Sequence, residues 1–291
     1  MKTILYSLIA IFIFGIIASG FTNKGNARRG NTQNSILIQS TDKNASSVLL
    51  SQSAKIISAR LKDFSPERFD VKVIQEKNQI RVELTNARTS KTIEKLLLQK
   101  GSFAFYETYN RVSFSKLLNG NTRLFSLLNS PATRDSSLTI GCASGSEIEK
   151  VTAYLNTLGL EQKCKFAWDQ HSDDSDVCLY ALKIDNAKGA LIIGNDIESV
   201  KSNQDNATKA FMVNIRLKRS AVEIWSDATK RNINKAIAIV LDNEVLSAPK
   251  VRSVISGGQC EISGNFTEDE VKYIAALGNN GELPLNFKIV E

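Results

Sequence analysis

The stretch from Ala236 to Glu291 constrains the fold most, because its turn signals cut it into short elements in a fixed order. An apolar run, Ala236 to Leu241, meets Asp242-Asn243 and resumes as Glu244-Val245-Leu246. Asp and Asn tolerate the positive φ of a tight turn, so this pair predicts a hairpin. Ser247-Ala248-Pro249 ends the ladder, since proline has no N–H to offer a central strand. Gly257-Gly258 predicts a second turn ahead of a strand at Cys260 to Ser263, which Gly264 closes. Thr267 caps a helix over about Glu268 to Leu277, and Gly281 and Pro284 bracket the entry to a last strand, Leu285 to Val290.

Upstream, hydrophobic spacing sets out a regular series. Ile36 to Gln39 is a short strand, and Thr41-Asp42 supply caps for a helix over about Ala45 to Phe64. Leu50, Ala54, Ile57, Leu61 and Phe64 recur at three- and four-residue intervals, giving one buried helical stripe. Phe69, Val71 and Val73 alternate with polar residues, as do Ile80, Val82 and Leu84 on a returning strand. Thr89 to Leu98 is a second helix, ended by Gly101, and Phe103 and Phe105 mark a fourth strand. The order strand, helix, strand, strand, helix, strand is the ferredoxin-like split βαβ pattern, here over 35–108.

Residues 109–185 read as a variable α/β insertion. They hold a short helix among loops near Leu117 to Leu128, a strand at Leu138 to Cys142, a helix from Ser146 to Leu158, and strands at Lys163 to Asp169 and Val177 to Ile184. From 186 onward, Asp196 to Lys201 suits a helical turn, Phe211 to Leu217 alternates as a strand, and Ser220 starts a helix carrying Trp225 and Thr229. The expected class is α+β: a ferredoxin-like base, the insertion, and an α/β head over 186–291.

Ile4 to Phe21 carries no charge and is about long enough to span a bilayer at the lower limit. With Lys2 before it and Ala18-Ser19-Gly20 at its end, 1–22 fits either a cleaved export signal or a retained anchor, its length leaning to the anchor. A linker follows at 23–34. Both readings put the rest of the chain outside the cytoplasm. Three of four cysteines, Cys142, Cys164 and Cys178, lie close in sequence, with Cys260 apart. A bridge among those three and buried free thiols fit equally well. Charge is uneven: Phe21 to Gly120 carries 17 Lys/Arg against 8 Asp/Glu, and the stretch after it 19 against 22. These charges are scattered and no basic, aromatic-rich patch forms, which disfavours nucleic acid.

No catalytic constellation emerges. His171 is the only histidine, so neither a serine nor a cysteine nucleophile has the usual base. Asp169, Asp173, Asp174 and Asp176 lack EF-hand spacing and read as a solvated loop. Gly257-Gly258 is not followed by the Lys-Ser/Thr of a phosphate loop. The expectation is therefore no catalytic residue, no metal and no cofactor.

The ordered motifs Leu241-Asp242, Val245, Ser247-Ala248-Pro249, Ile255 to Gly258, Ile262 to Phe266 and Leu283-Pro284 resemble the end of the large first periplasmic domain of SecD, a membrane subunit assisting export through the Sec channel. Ala54 to Leu61, Ile80 to Leu84 and Gly101 to Glu107 resemble its beginning. The first strand departs from the family, since Ile36-Leu37-Ile38-Gln39-Ser40 lacks the usual glycine pair. The resemblance implies a binding and accessory module rather than an enzyme. Its expected partners are emerging unfolded polypeptide, the Sec translocase, and the inner membrane through the N-terminal helix. The domain would face the periplasm, without a proton-coupling bundle of its own. An exported envelope interaction protein reusing the fold is the alternative. The signature positions Asp242, Ser247, Ala248, Pro249, Gly257, Gly258, Gly264, Phe266 and Pro284 read mainly as turn and strand-end chemistry.

Overall fold

A computed structural model describes residues 33–85, 90–129, 138–169, 176–184 and 189–290. The apolar run at 4–21, most of the linker, His171, Asp173 and Asp174 lie outside the described residues. Among the described residues no helix is long and apolar enough to cross a membrane.

The chain opens with β1 (Gln33–Ser40), α1 (Ser47–Phe64), β2 (Arg68–Ile74), β3 (Gln79–Thr85), α2 (Lys91–Leu98) and β4 (Phe103–Tyr109). There follow α3 (Arg111–Leu117), α4 (Arg123–Ser126), β5 (Gly141–Ser144), α5 (Ile148–Leu155), β6 (Cys164–Asp169) and β7 (Asp176–Lys183). The remainder is β8 (Ile192–Ile193), β9 (Ile197–Gln204), β10 (Phe211–Leu217), α6 (Arg219–Arg231), β11 (Ile237–Leu241), β12 (Glu244–Ser247), β13 (Gln259–Phe266), α7 (Glu268–Asn280) and β14 (Phe287–Val290).

The strands form three sheets. The first has the order β14-β1-β3-β2, with every neighbouring pair antiparallel. The expected fourth strand of this unit, β4, is not in it. Its place beside β1 is taken by β14, from the far end of the chain, so 35–108 does not close on itself. Asp42 pins that return: its carboxylate accepts from the Asn286 amide at 2.6 Å and from Asn286 Nδ2 at 3.2 Å. The α1 cap therefore falls to Ser46 rather than to Thr41-Asp42, its side chain accepting from the Leu49 amide.

The second sheet has the order β13-β10-β9. Asp196 to Lys201 is not a helical turn: a single 3-10 turn at Gly194–Asp196 leads straight into β9. The third sheet has the order β5-β7-β6-β12-β11-β4-β8, and a further pairing of Thr108 with Leu182 and Tyr109 with Ala181 joins β4 to β7. That pairing closes β7-β6-β12-β11-β4 into a five-stranded ring. Small and aromatic side chains alternate into its interior, among them Ala104, Tyr106, Ala167, Tyr180, Ala238 and Val240, as a narrow barrel requires. The strand predicted at Leu138 to Cys142 is displaced along the chain to β5, Gly141–Ser144.

The largest core runs from the inner face of the first sheet (Ile38, Ile80, Val82) through α1, α2 and α7 to Val200, Val213 and Ile215 of the second sheet. It continues to Phe105 of β4, against which Trp225 packs edge-on at 5.5 Å. Thr229, one turn on, accepts the Ile255 amide at 2.9 Å and ties the loop before β13 to α6. The insertion builds its own core from Phe114, Leu124, Ile140, Val151, Leu155 and Leu179. Cys142 and Cys178 face each other across β5 and β7 and form a disulfide.

Candidate functional site

The hairpin forms as its residues dictate. Asp242 and Asn243 have φ values of 50° and 75°, the paired positive values of a tight two-residue turn. The turn is then irregular where the ladder should simply end. Val240 pairs with Val245 and Ile239 with Ser247, so Leu246 is an extra residue in β12. On its other side β12 pairs with β6 for only two residues, Glu244 with Trp168 and Val245 with Asp169.

β13 carries a second irregularity. Met212 pairs with Ser263 but Phe211 pairs with Phe266, leaving Gly264 and Asn265 as extra residues. Gly264 thus does not close the strand; it lies inside a bulge, and the Phe266 ring covers it so closely that a Cβ there would sit 3.2 Å from Cε2. Bulges bend a strand and re-aim side chains, which is why they gather beside binding sites.

Both bulges face one cleft of about 420 Å³. Leu246, Ser247 and Ala248 form one wall and Ser263 to Phe266 another. Helix α7 contributes Tyr273 and Ile274, and α2 contributes Lys91 and Lys95. Asp169, Glu244 and Glu270 also line it, so the cleft holds charges of both signs. Its size suits a few side chains or a short stretch of extended chain. Asp169 is buried and its Oδ1 accepts the Cys178 amide at 2.8 Å. Burial holds the Glu244 carboxyl above its usual range, with the Lys95 charge opposing and the Asp242 charge adding. Burial likewise raises the Tyr273 phenol, helped by Asp242 and Glu244, and its buried hydroxyl has no hydrogen-bond partner among the described residues.

Of the nine signature positions, Ser247, Ala248, Gly264 and Phe266 line this cleft. The others are elsewhere. The Pro249 carbonyl accepts the Ile237 amide at 3.3 Å, and Pro284 follows Leu283, whose amide donates to the Lys100 carbonyl at 2.8 Å. Gly257 has open space around it. Gly258 has φ +64° and would place a Cβ 2.6 Å from Val222 Cγ2. Gly258→Ala is therefore expected to destabilise the fold by about 2–3 kcal/mol, from left-handed strain plus overpacking. Urea unfolding checks this, and a loss below about 0.5 kcal/mol would contradict it.

Asp242 does more than turn the chain. Its Oδ2 accepts the Gly101 amide at 2.9 Å and its Oδ1 the Ser102 amide at 2.7 Å, while its own amide donates to the Ser102 carbonyl at 3.0 Å. A residue not singled out from the sequence, Arg60 of α1, meets the same segment. It is fully buried. Nη1 donates to the carbonyls of Leu96 at 3.2 Å and Gln99 at 2.6 Å, and Nη2 to those of Lys100 at 2.6 Å and Gly281 at 2.7 Å. Its signal was its position, three residues after Ile57 on the shoulder of the apolar stripe, where a solvated arginine does not belong.

Comparison with known proteins adds the family. Residues 180–285 match the family described as SecDF, P1 head subdomain. The protein translocase subunit SecD of Aquifex aeolicus is 38% identical over 104 residues, covering 36% of this chain and 20% of that protein. SecD of Calditerrivibrio nitroreducens is 33% identical over 129 residues, covering 40% of this chain and 25% of that protein. Each match thus spans a quarter or less of the relative's length. Among solved structures, SecDF in its super-membrane-facing form superposes with a TM-score of 0.56 at 20% identity, over 88% of this chain and 29% of that one. A structure of SecDF described as a membrane component that enhances protein export gives 0.51 at 20% identity, over 89% of this chain and 98% of that one. At that identity the structures speak for the fold alone.

Mixed helices and strands in this arrangement, together with the matched head, give the chain the fold seen in SecDF. More particularly, residues 180–285 match the head subdomain of the SecDF P1 domain, and the chain around them is similar in sequence to SecD and in fold to SecDF.

Proposed function

We propose that this chain is a SecD-type accessory of protein export that binds extended polypeptide in the cleft between β12 and β13. The observation carrying this reading is that both strands depart from regular pairing at the same cleft, and that four signature positions line it. β13 is the outer strand of its sheet. An extended segment laid along such a strand gains main-chain hydrogen bonds without demanding a particular sequence, while the cleft takes alternate side chains. Leu246, Ala248, Phe266 and Ile274 supply apolar contact, and the Tyr273 hydroxyl a polar one.

In this reading the domain is a binding module, not an enzyme. It works on the periplasmic side of the inner membrane, held there by the apolar run at 4–21. The order β14-β1-β3-β2, with α1 and α2 in the chain between its strands, supports a ferredoxin-like base whose fourth strand comes from the C-terminal segment. The Sec translocase is the partner on which the base would dock.

A photocrosslinker at Ser247 tests the reading in cells, with one at Lys72, on the exposed face of β2, as control. Capture of exported precursors from Ser247 and not from Lys72 is the expected result. Labelling of only mature envelope proteins or lipid would refute it and favour the exported interaction protein instead. In vitro, Phe266→Asp should weaken binding of a reduced, carboxymethylated polypeptide about tenfold, or ~1.4 kcal/mol. Unchanged affinity would remove the cleft from consideration.

A further inference from the structure

We propose that Arg60 and Asp242 form a charge-bridged joint that sets the spacing of the cleft walls and couples the cleft to the first sheet; as a statement about regulation it rests on the polypeptide-binding reading of that cleft. The segment Gln99 to Ser102 lies between the two charges. Its first two carbonyls accept from the Arg60 guanidinium, and its last two amides donate to the Asp242 carboxylate. A cation on the carbonyl side and an anion on the amide side both favour the same orientation of the intervening peptide dipoles. Gly101 belongs to the joint as well: it has φ +79°, and a Cβ there would collide with Arg60 Nη2.

Three of the four elements that wall the cleft meet here, β13 being the fourth. Helix α2 carries Lys91 and Lys95 in the cleft, and Arg60 binds the carbonyls of Leu96 in its last turn and Gln99 just past it. Helix α7 carries Tyr273 and Ile274, and Arg60 binds the Gly281 carbonyl at its C-terminal cap. The β11–β12 hairpin carries Glu244 to Ser247, beginning two residues after Asp242. The two chain crossings are also tied to each other by the bond from the Leu283 amide to the Lys100 carbonyl. Arg60 itself projects from α1, which packs on the first sheet. None of the three walls can shift far without breaking a bond to this pair. Arg60 and Asp242 are thus positioning residues: they touch no ligand and act through the elements they hold.

The test compares the full chain with Asp242→Asn and Arg60→Lys. Asn keeps the left-handed turn conformation and one acceptor oxygen, and Lys keeps the charge but reaches fewer carbonyls, so each variant checks the other's folding. Amide hydrogen exchange is read residue by residue by NMR, alongside affinity for the reduced, carboxymethylated polypeptide. The expected result is exchange at least tenfold faster at Gly101 and Ser102, with the same trend through Lys95 to Gln99 and Glu244 to Ser247. Leu179 to Ala181 in the insertion should be unmoved, and affinity should fall at least fivefold. Faster exchange confined to Gly101 and Ser102, or none, overturns the joint. If the walls loosen but the unaltered chain does not bind the polypeptide, the joint stands and the binding reading falls. If the unaltered chain binds it and both variants bind equally with unmoved walls, the joint falls and the binding reading stands.

Discussion

Arg60→Met is expected to lower the stability of the domain by about 3–5 kcal/mol, the largest effect of any single side chain here. Arg60 makes four hydrogen bonds to backbone carbonyls from a site with no solvent access. Bonds from a charged donor contribute about 1.5–3 kcal/mol each, and a buried carbonyl left alone costs about 1–3 kcal/mol. Methionine fills the volume and recovers the cost of burying the charge, which is why the net loss stays well below the gross sum. That cost is visible in the guanidinium itself. Burial lowers its pKa from 12.5 to about 10, although Asp242, Tyr273 and Glu282 oppose the shift. A base whose folded pKa is depressed gains stability only as pH rises between those two values, because the unfolded chain then holds more protons. Between pH 5 and 9 the Arg60 contribution is therefore flat, and the loss in Arg60→Met should be the same throughout. Thermal melts should shift down by about 10 °C or more for a domain of this size. A loss below about 1 kcal/mol, or one that varies across that pH range, would show that other groups satisfy the carbonyls.

The regular elements were legible because periodicity reports burial directly. The α1 stripe, the alternation in β3 and β10, and the Thr267 cap of α7 all stand where their residues predict. Three misread elements, β9, β12 and β13, share one physical cause. In β9, Leu217 pairs with Ile197 but Arg216 with Ser199, so one extra residue puts Ile197 and Val200 on the same face. A spacing of three on one face imitates a helix, and the residues were read as one. The extra residues in β12 and β13 likewise break the two-residue period, and a broken period reads as the end of a strand. The candidate cleft was hidden for that reason: its lining residues are the ones at which periodicity fails. Pairing partners were hidden for a different reason. Four residues of β14 hold no record of which edge they join; Thr41 and Asp42, which the sequence predicts as helix caps, tie Asn286 beside it.

The second large effect lies in the insertion. Cys142 and Cys178 are directly opposite each other on β5 and β7, 36 residues apart in sequence. The closed loop contains α5 and β6, and with them Val151, Leu155 and Leu160 of the insertion's own core. In the chain-entropy account, tying a loop of that length contributes about 4 kcal/mol. The two free thiols, Cys164 and Cys260, are both held toward the protonated, less nucleophilic form. Burial, with some help from Glu161, pushes the Cys164 thiol up to about 11, and burial alone pushes Cys260 up to about 12. The double variant C142A/C178A is therefore expected to lose about 4 kcal/mol, and reduction should bring the unaltered chain to the same level while leaving the variant unchanged. The chain's two tryptophans, Trp168 and Trp225, divide the report. Trp168 sits in the insertion, bonded to Thr152 at 3.2 Å, whereas Trp225 is buried in the main core. Loosening should appear first at Trp168, so that single-tryptophan versions of the variant separate into two transitions. Coincident transitions would show that the insertion and the main core unfold together, and a melt within about 2 °C of the unaltered chain would mean that the bond adds nothing its strand pairing does not already supply.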